Sequence, residues 1–144
     1  MCDDLQSTAA FYHRELGLQP LDKGMLDYPG CFLRINADQE LHLAEMEDGS
    51  PSFRGHFCLQ VKNFNRIFWR MHALDILETS AWGKIRELPN GVIQFYVRDP
   101  AQNLVELTSF PEDREAIDPS IFAHPFWGGT PYQSGLGDGR KYVP

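Results

Sequence analysis

Arg98–Ser109, RDPAQNLVELTS, decides how the rest of the chain is read. Asp99-Pro100 predicts a turn, because proline fixes its own φ and pushes the residue before it out of helical conformation. Ala101, Gln102 and Asn103 complete that turn. Leu104–Thr108 then alternates as a strand, with Val105 and Leu107 on one face and Leu104, Glu106 and Thr108 on the other. On the near side of the turn, residues 92–97 (VIQFYV) are apolar and β-rich, and Asn90-Gly91 supplies their start signal. The hairpin therefore carries one carboxylate, Glu106, away from its large aliphatic neighbours. A strand glutamate is ordinarily a solvated one, so the position alone assigns it no chemistry.

Outward from this hairpin, the 144-residue chain is long enough for a real core in one domain. Its hydrophobic content of 42% and charged content of 23% are those of an ordinary globular protein. A formal net charge of −7 argues against nucleic acid or an anionic membrane as partner. No apolar run approaches the roughly 20 residues that span a bilayer, and MCDDLQST lacks the basic and apolar regions of a signal peptide. Cys2, Cys31 and Cys58 are odd in number and lack zinc-type spacing, as expected of reduced thiols in a cytoplasmic protein.

From the N-terminus, Asp4 to Leu16 reads as a helix with Leu5, Ala9, Tyr12 and Leu16 on one face, capped by Asp3 or Asp4 and closed by Gly17. Strands are expected over Leu18–Leu21, Gly30–Ile35 and Glu40–Ala44, and residues 45–54 read as a polar linker. The second half opens with a strand over His56–Val61. A helix capped by Asn63 follows to about Leu74, with Phe64, Ile67, Phe68 and Met71 in its apolar stripe. A strand start is expected at Ile76-Leu77, and another strand over Trp82–Leu88. Phe110–Pro144 is rich in Pro and Gly yet carries Ile117, Ile121, Phe122, Phe126, Trp127, Tyr132 and Tyr142, too aromatic for a disordered tail.

Asp99-Pro100, Asn103 and Glu106-Leu107 resemble the closing DPxGN..EL signature of the vicinal oxygen chelate superfamily, which includes glyoxalase I, fosfomycin and bleomycin resistance proteins and extradiol dioxygenases. Gln102 stands where that signature has glycine, so the turn must avoid a positive φ or tolerate one in a non-glycine residue. Residues 4–18, DLQSTAAFYHRELGL, are similar to the family's opening helix, and Trp82-Gly83 to its WGxR-type strand. The resemblance spans roughly residues 3 to 109. It implies an α+β fold of paired βαβββ modules (1–46 and 55–109) forming an open, barrel-like sheet cleft within a domain of residues 1–110, with 111–144 as an irregular C-terminal extension. The first strand of the first module is missing from the sequence. An upstream start codon, with a further ligand before Met1, is one reading of that gap. The extension is expected to cover the resulting edge beside His56–Val61, with Lys141-Tyr142-Val143 as a strand candidate.

The same resemblance implies metal ligands at His56, Glu106 and His42, the last in the place that Glu106 holds in the other half, and makes Glu106 the catalytic candidate. Two imidazoles and a carboxylate suit a divalent ion such as Fe(II), Mn, Ni or Zn. Arg34, Gln60, Trp82, Gln94, Tyr96 and Arg98 are candidates for the substrate pocket, although surface ion pairing is the commoner use of either arginine. A metal-dependent lyase, isomerase or dioxygenase on a small oxygen-rich molecule is one implied function. A metal-free small-ligand binder of the resistance type is the other. A homodimer is expected in both cases, since family members commonly build the cleft from two chains.

Overall fold

In the computed structural model of the protein, residues 4–22, 29–45, 56–80, 84–88 and 90–129 are described. Trp82, the linker from 46 to 55, and Tyr132, Tyr142 and the 141–143 segment lie outside them. The described elements run α1 (Leu5–Ala10), β1 (Gln19–Leu21), β2 (Gly30–Arg34), β3 (Glu40–Ala44), β4 (Phe57–Gln60), α2 (Phe64–Ala73), β5 (Arg86–Glu87), β6 (Ile93–Arg98), β7 (Leu104–Thr108) and α3 (Pro119–Phe122). Two sheets result, ordered β1-β2-β3 and β4-β7-β6-β5. The sheets stay open and do not close into a barrel.

The second half is a complete βαβββ unit. Its first strand, β4, lies parallel to its last, β7, while β7 is antiparallel to β6. The first half repeats helix and three strands, but β3, which matches β7, has no parallel strand beside it among the described residues. Among the described residues the first sheet thus has no counterpart of β4.

Helix α1 starts where Asp4 caps it, its carboxylate accepting from Ser7 N–H at 3.0 Å. From Phe11 to Glu15 the helix widens into a π turn. The expected line of Leu5, Ala9, Tyr12 and Leu16 packs against the core, and Thr8 and Phe11 are buried beside it. Gly17 then ends the helix with φ of 79°. Tyr12 reaches the organising turn: its hydroxyl donates to Asp99 Oδ2 at 2.8 Å in a buried setting. The same carboxylate accepts from Asn103 N–H at 2.8 Å and Asn103 Nδ2 at 2.9 Å. One buried aspartate therefore closes the β6–β7 turn and ties the first helix to the second module.

Gln102 does take the left-handed conformation, with φ of 65°. A left-handed non-glycine residue costs roughly 1–2 kcal/mol, against about 0.5–1 kcal/mol for the greater unfolded freedom of glycine. Gln102→Gly is therefore expected to stabilise the protein by about 0.5 kcal/mol. The Arg98 Nη1 bond to the carbonyl of residue 102, 3.0 Å long, survives the change because it uses backbone. Chemical denaturation reads the difference; a loss of stability would show that the Gln102 side chain matters more than its φ.

The core lies between α2 and one face of the second sheet. Phe64 and Phe68 pack edge-on against Phe95 at 5.4 and 5.2 Å, with Ile67, Met71, Leu59, Val97, Val105 and Leu107 around them. Asn63 precedes α2 but does not cap it as expected. Its φ is 56° and its side chain makes no cap hydrogen bond, because a left-handed residue cannot aim its amide at the first turn. The expected strand at Ile76-Leu77 is reduced to a single bridge, Leu77 to Val97.

The described part of the extension, to residue 129, lies elsewhere than the edge beside His56–Val61 expected for it, while the strand candidate Lys141-Tyr142-Val143 lies outside the described residues. The described part turns away from β4 and packs on α2 and the opposite sheet edge, at β5. Ile117 and Ile121 are buried in the common core. Asn65 Nδ2 donates to the Ala116 carbonyl at 2.8 Å, Asp118 N–H donates back to Asn65 Oδ1 at 2.9 Å, and Trp69 Nε1 donates to Asp118 Oδ2 at 2.9 Å. Phe126–Gly129 then runs beside β5, with Ile85 N–H donating to Phe126 and Gly128 N–H to Ile85. The polar side chains on α2 that receive the extension lie on that side, which a composition argument cannot reveal.

Two groups make this docking pH-sensitive. Hydrogen bonds from Ser120, and then Trp69, hold the Asp118 carboxyl below its ordinary range. Burial, and then the neighbouring His72, holds His124 below the usual imidazole value. The His124 Nδ1 lone pair accepts from Phe126 N–H at 3.2 Å, which requires that nitrogen to be unprotonated. Both folded values are depressed, so the stability is complete above the unfolded values (about 6.5 for His, 3.9 for Asp) and is lost as pH falls through the folded ones. The melting temperature is expected to drop between pH 7 and 5, with a further drop below about pH 4. His124→Gln should remove the first drop; an unchanged first drop would place its cause elsewhere.

Candidate functional site

Alternation along β4, β7 and β6 sorts the second sheet into two faces. Phe57 and Leu59 share the core face with Val105, Leu107, Phe95 and Val97. The other face takes Cys58, Gln60, Glu106, Thr108, Gln94 and Tyr96, with Glu106 opposite Cys58 on one side and Tyr96 on the other. His56 stands immediately before β4 on this polar face. Its Nε2 lies 2.8 Å from Glu106 Oε2, and the edge of its ring meets Tyr96 with centroids 5.2 Å apart.

The β6–β7 part of this face is dry, while Cys58 and Gln60 on β4 are exposed. Glu106 is 9% exposed, Gln94 3%, Tyr96 6% and Thr108 6%, whereas His56 reaches solvent. Gln94 Nε2 donates to the Tyr96 hydroxyl at 3.4 Å. A buried carboxylate against an accessible imidazole is an arrangement that can hold a cation or move a proton. Cys58 adds neither a thiolate nor a ready ligand: burial foremost, and Glu106 besides, pushes its thiol up, against a smaller opposite pull from Thr108. Cys58 and Thr108, in contact at 3.6 Å, were legible only as the alternate positions beside His56 and Glu106.

The other candidates lie elsewhere. His42 is on β3 in the first sheet, exposed, its ring stacked on Phe32 at 3.9 Å and its Nε2 3.1 Å from Glu40 Oε2. Arg34 is exposed on β2, in register with Glu40. Arg98 is engaged by Glu78 at 2.8 Å. Burial pushes the Glu78 carboxyl up, but the Ser80 N–H and Arg98 outweigh it and leave it below the ordinary value. Gln60 donates to the Ser109 carbonyl at 3.1 Å. Among the described residues, no three His, Cys, Asp or Glu side chains converge on a point that could hold a metal ion. One chain therefore brings together His56 and Glu106, and not His42. A separate cleft of about 650 Å3, between Phe11 and Arg14 on one wall and Ile76 and Arg98 on the other, touches neither.

No helix among the described residues is long and apolar enough to cross a membrane. The fold has many solved counterparts. Lactoylglutathione lyase from Agrobacterium tumefaciens is 27% identical, with 77% of this chain and 89% of that one aligned at a TM-score of 0.57. Oxidase ChaP-H2 is 20% identical over 76% and 87% of the two chains at 0.60. The fosfomycin resistance protein FosX from Listeria monocytogenes is 18% identical over 78% and 89% at 0.52. The last two show the fold alone. No curated protein matches the chain significantly. The family model for the Glyoxalase/Bleomycin resistance protein/Dioxygenase superfamily matches residues 1–107, which takes in both modules and the His56–Glu106 pair; the chain belongs to that superfamily.

Proposed function

We propose that the protein is a metal-dependent lyase, isomerase or dioxygenase of this superfamily, acting on a small oxygen-rich molecule as a homodimer. His56 and Glu106 hold the divalent ion, Fe(II), Mn, Ni or Zn, and His42 of the partner subunit completes its protein ligands. The observation that carries this reading is the 2.8 Å separation of His56 Nε2 and Glu106 Oε2. That distance is a hydrogen bond between an imidazole and a carboxylate, the two donor types that would hold a divalent ion between them once the shared proton is released.

Such an ion supplies Lewis acidity toward a substrate anion. The chain's own groups supply the rest. The Glu106 carboxylate, buried and facing an accessible imidazole, is placed to take and return a proton at a carbon next to a carbonyl. Tyr96 offers a hydroxyl and Gln94 an amide for orienting substrate oxygens, and the dryness of this face strengthens both contacts.

Complementation tests the shared site. His42→Ala and Glu106→Gln homodimers should each lose most bound metal. Dimers of one chain of each kind keep one intact set and should regain about half the wild-type metal content. Full metal in the His42→Ala homodimer would remove His42 from the ligand set.

The second reading, a metal-free binder of small ligands, is favoured by one observation: among the described residues a single chain gathers only two ligands. It expects a ligand-binding protein whose affinity for its small molecule does not respond to chelators.

A further inference from the structure

Irregular backbone surrounds the cleft of about 650 Å3 that lies apart from His56 and Glu106. The π turn at Phe11–Glu15 gives it Phe11, Arg14 and Glu15. Asp75, just past α2, and Gln102, in the β6–β7 turn, line it from the second module. Both are left-handed non-glycine residues, with φ of 56° and 65°, and among the described residues only Asn63 shares that conformation. Backbone strain of this kind and π turns both gather at ligand sites. The volume also falls in the range of small-molecule sites, on the order of 300–1,000 Å3.

Most charged groups of the lining are already engaged. Glu15 is gripped by Arg70 at 2.7 Å. Asp99 accepts from Tyr12 and Asn103, and Arg98 donates to Glu78 and to the Gln102 carbonyl. Arg14 and Asp75 differ: both are exposed, and among the described residues neither side chain makes a hydrogen bond or an ion pair. One cation and one carboxylate thus line the same cleft without meeting each other. Much of the remaining accessible lining is apolar. Leu74 is 37% exposed, the one large hydrophobic residue left so open among the described residues, and Ile76 and Leu77 beside it are half-buried.

An apolar occupant would cover both charges without pairing either, and a simple anion would satisfy Arg14 and face Asp75. A molecule with a carboxylate, an ammonium and an apolar body answers all three surfaces. We infer that this cleft is a second ligand site, for a free hydrophobic α-amino acid. Its carboxylate pairs with Arg14, its ammonium pairs with Asp75, and its side chain lies on Leu74, Ile76 and Leu77. The site joins the first helix to the second module and is independent of the metal reading of His56 and Glu106.

Isothermal titration of the full chain with L-phenylalanine and with L-leucine should show saturable binding of at least one. The N-acetyl form of that amino acid lacks the ammonium and the amide form lacks the carboxylate; each should bind at least tenfold more weakly. Arg14→Gln and Asp75→Asn should each weaken binding at least tenfold. Asparagine tolerates the left-handed conformation, so the second change removes the charge and keeps the backbone. Circular dichroism confirms that each variant is folded. Glu106→Gln should bind the amino acid as the wild type does, which separates this site from any failure of the metal site. Four results overturn the inference: no saturable binding of either amino acid up to millimolar concentration, undiminished binding of the acetylated or amidated form, undiminished binding in Arg14→Gln or Asp75→Asn, or loss of binding in Glu106→Gln. The first is also the result if residues of this chain outside the described ones occupy the cleft.

Discussion

Asp99→Ala should destabilise the protein by about 3–5 kcal/mol. The side chain is 1% exposed and accepts from the Tyr12 hydroxyl, Asn103 N–H and Asn103 Nδ2. Its removal strands three donors in or near the core, and each unsatisfied buried group costs about 1–3 kcal/mol. Water entering the vacated space offsets part of the sum. The loss is a large share of the 5–15 kcal/mol that holds a typical domain together, and corresponds to a fall in melting temperature of roughly 10–17 °C. Tyr12→Phe removes one donor with its bond and should cost only about 1–1.5 kcal/mol. Equal losses in the two variants would mean that the turn itself does not depend on Asp99.

Removal of residues 111 to 144 should leave a protein that aggregates or melts at much lower temperature. Ile117 and Ile121 are 5% and 0% exposed in the common core, and fully burying an isoleucine contributes roughly 1.5–3 kcal/mol. Asn65 and Trp69 on α2 would lose their partners Ala116 and Asp118. Arg114 also leaves Glu87, which it grips through Nε at 2.8 Å and Nη2 at 3.1 Å. The edge of β5 would be bared at the same time, and an unprotected edge invites pairing between molecules. Light scattering and thermal melts read both effects. A soluble truncated chain of unchanged stability would show that these contacts are superficial.

What the sequence could show follows from the range of the forces involved. The Asp99–Asn103 turn and strands β3 and β7 were legible because alternation and turn chemistry act over a few residues. The lack of a counterpart of β4 among the described residues was legible because the halves can be compared position by position. The π turn at Phe11–Glu15 was not, since it widens the helix without altering the spacing of apolar residues. Asn63 looked like a cap by type, but its left-handed φ is set by the path from β4 into α2.

The site divides along the same line. Periodicity put His56, Glu106 and His42 each on the polar face of its own strand. It could not show how two sheets approach, and β3 turns out to belong to a different sheet from β4 and β7. The extension's seat on α2 was hidden for a related reason, because its partners Asn65 and Trp69 look like ordinary helix-surface residues.

The central claim is that His56 and Glu106 hold a divalent ion. Its most direct test is metal analysis of the purified protein after incubation with Ni, Mn, Zn and Fe(II) in turn, with Glu106→Gln alongside. The glutamine keeps the shape of the side chain and loses its charge. The expected result is close to one tightly held ion per subunit for at least one of these metals in the wild type, and a severe loss in Glu106→Gln. Metal content that is negligible for all four, or undiminished in Glu106→Gln, would contradict the metal site and leave the metal-free binder as the reading of this fold.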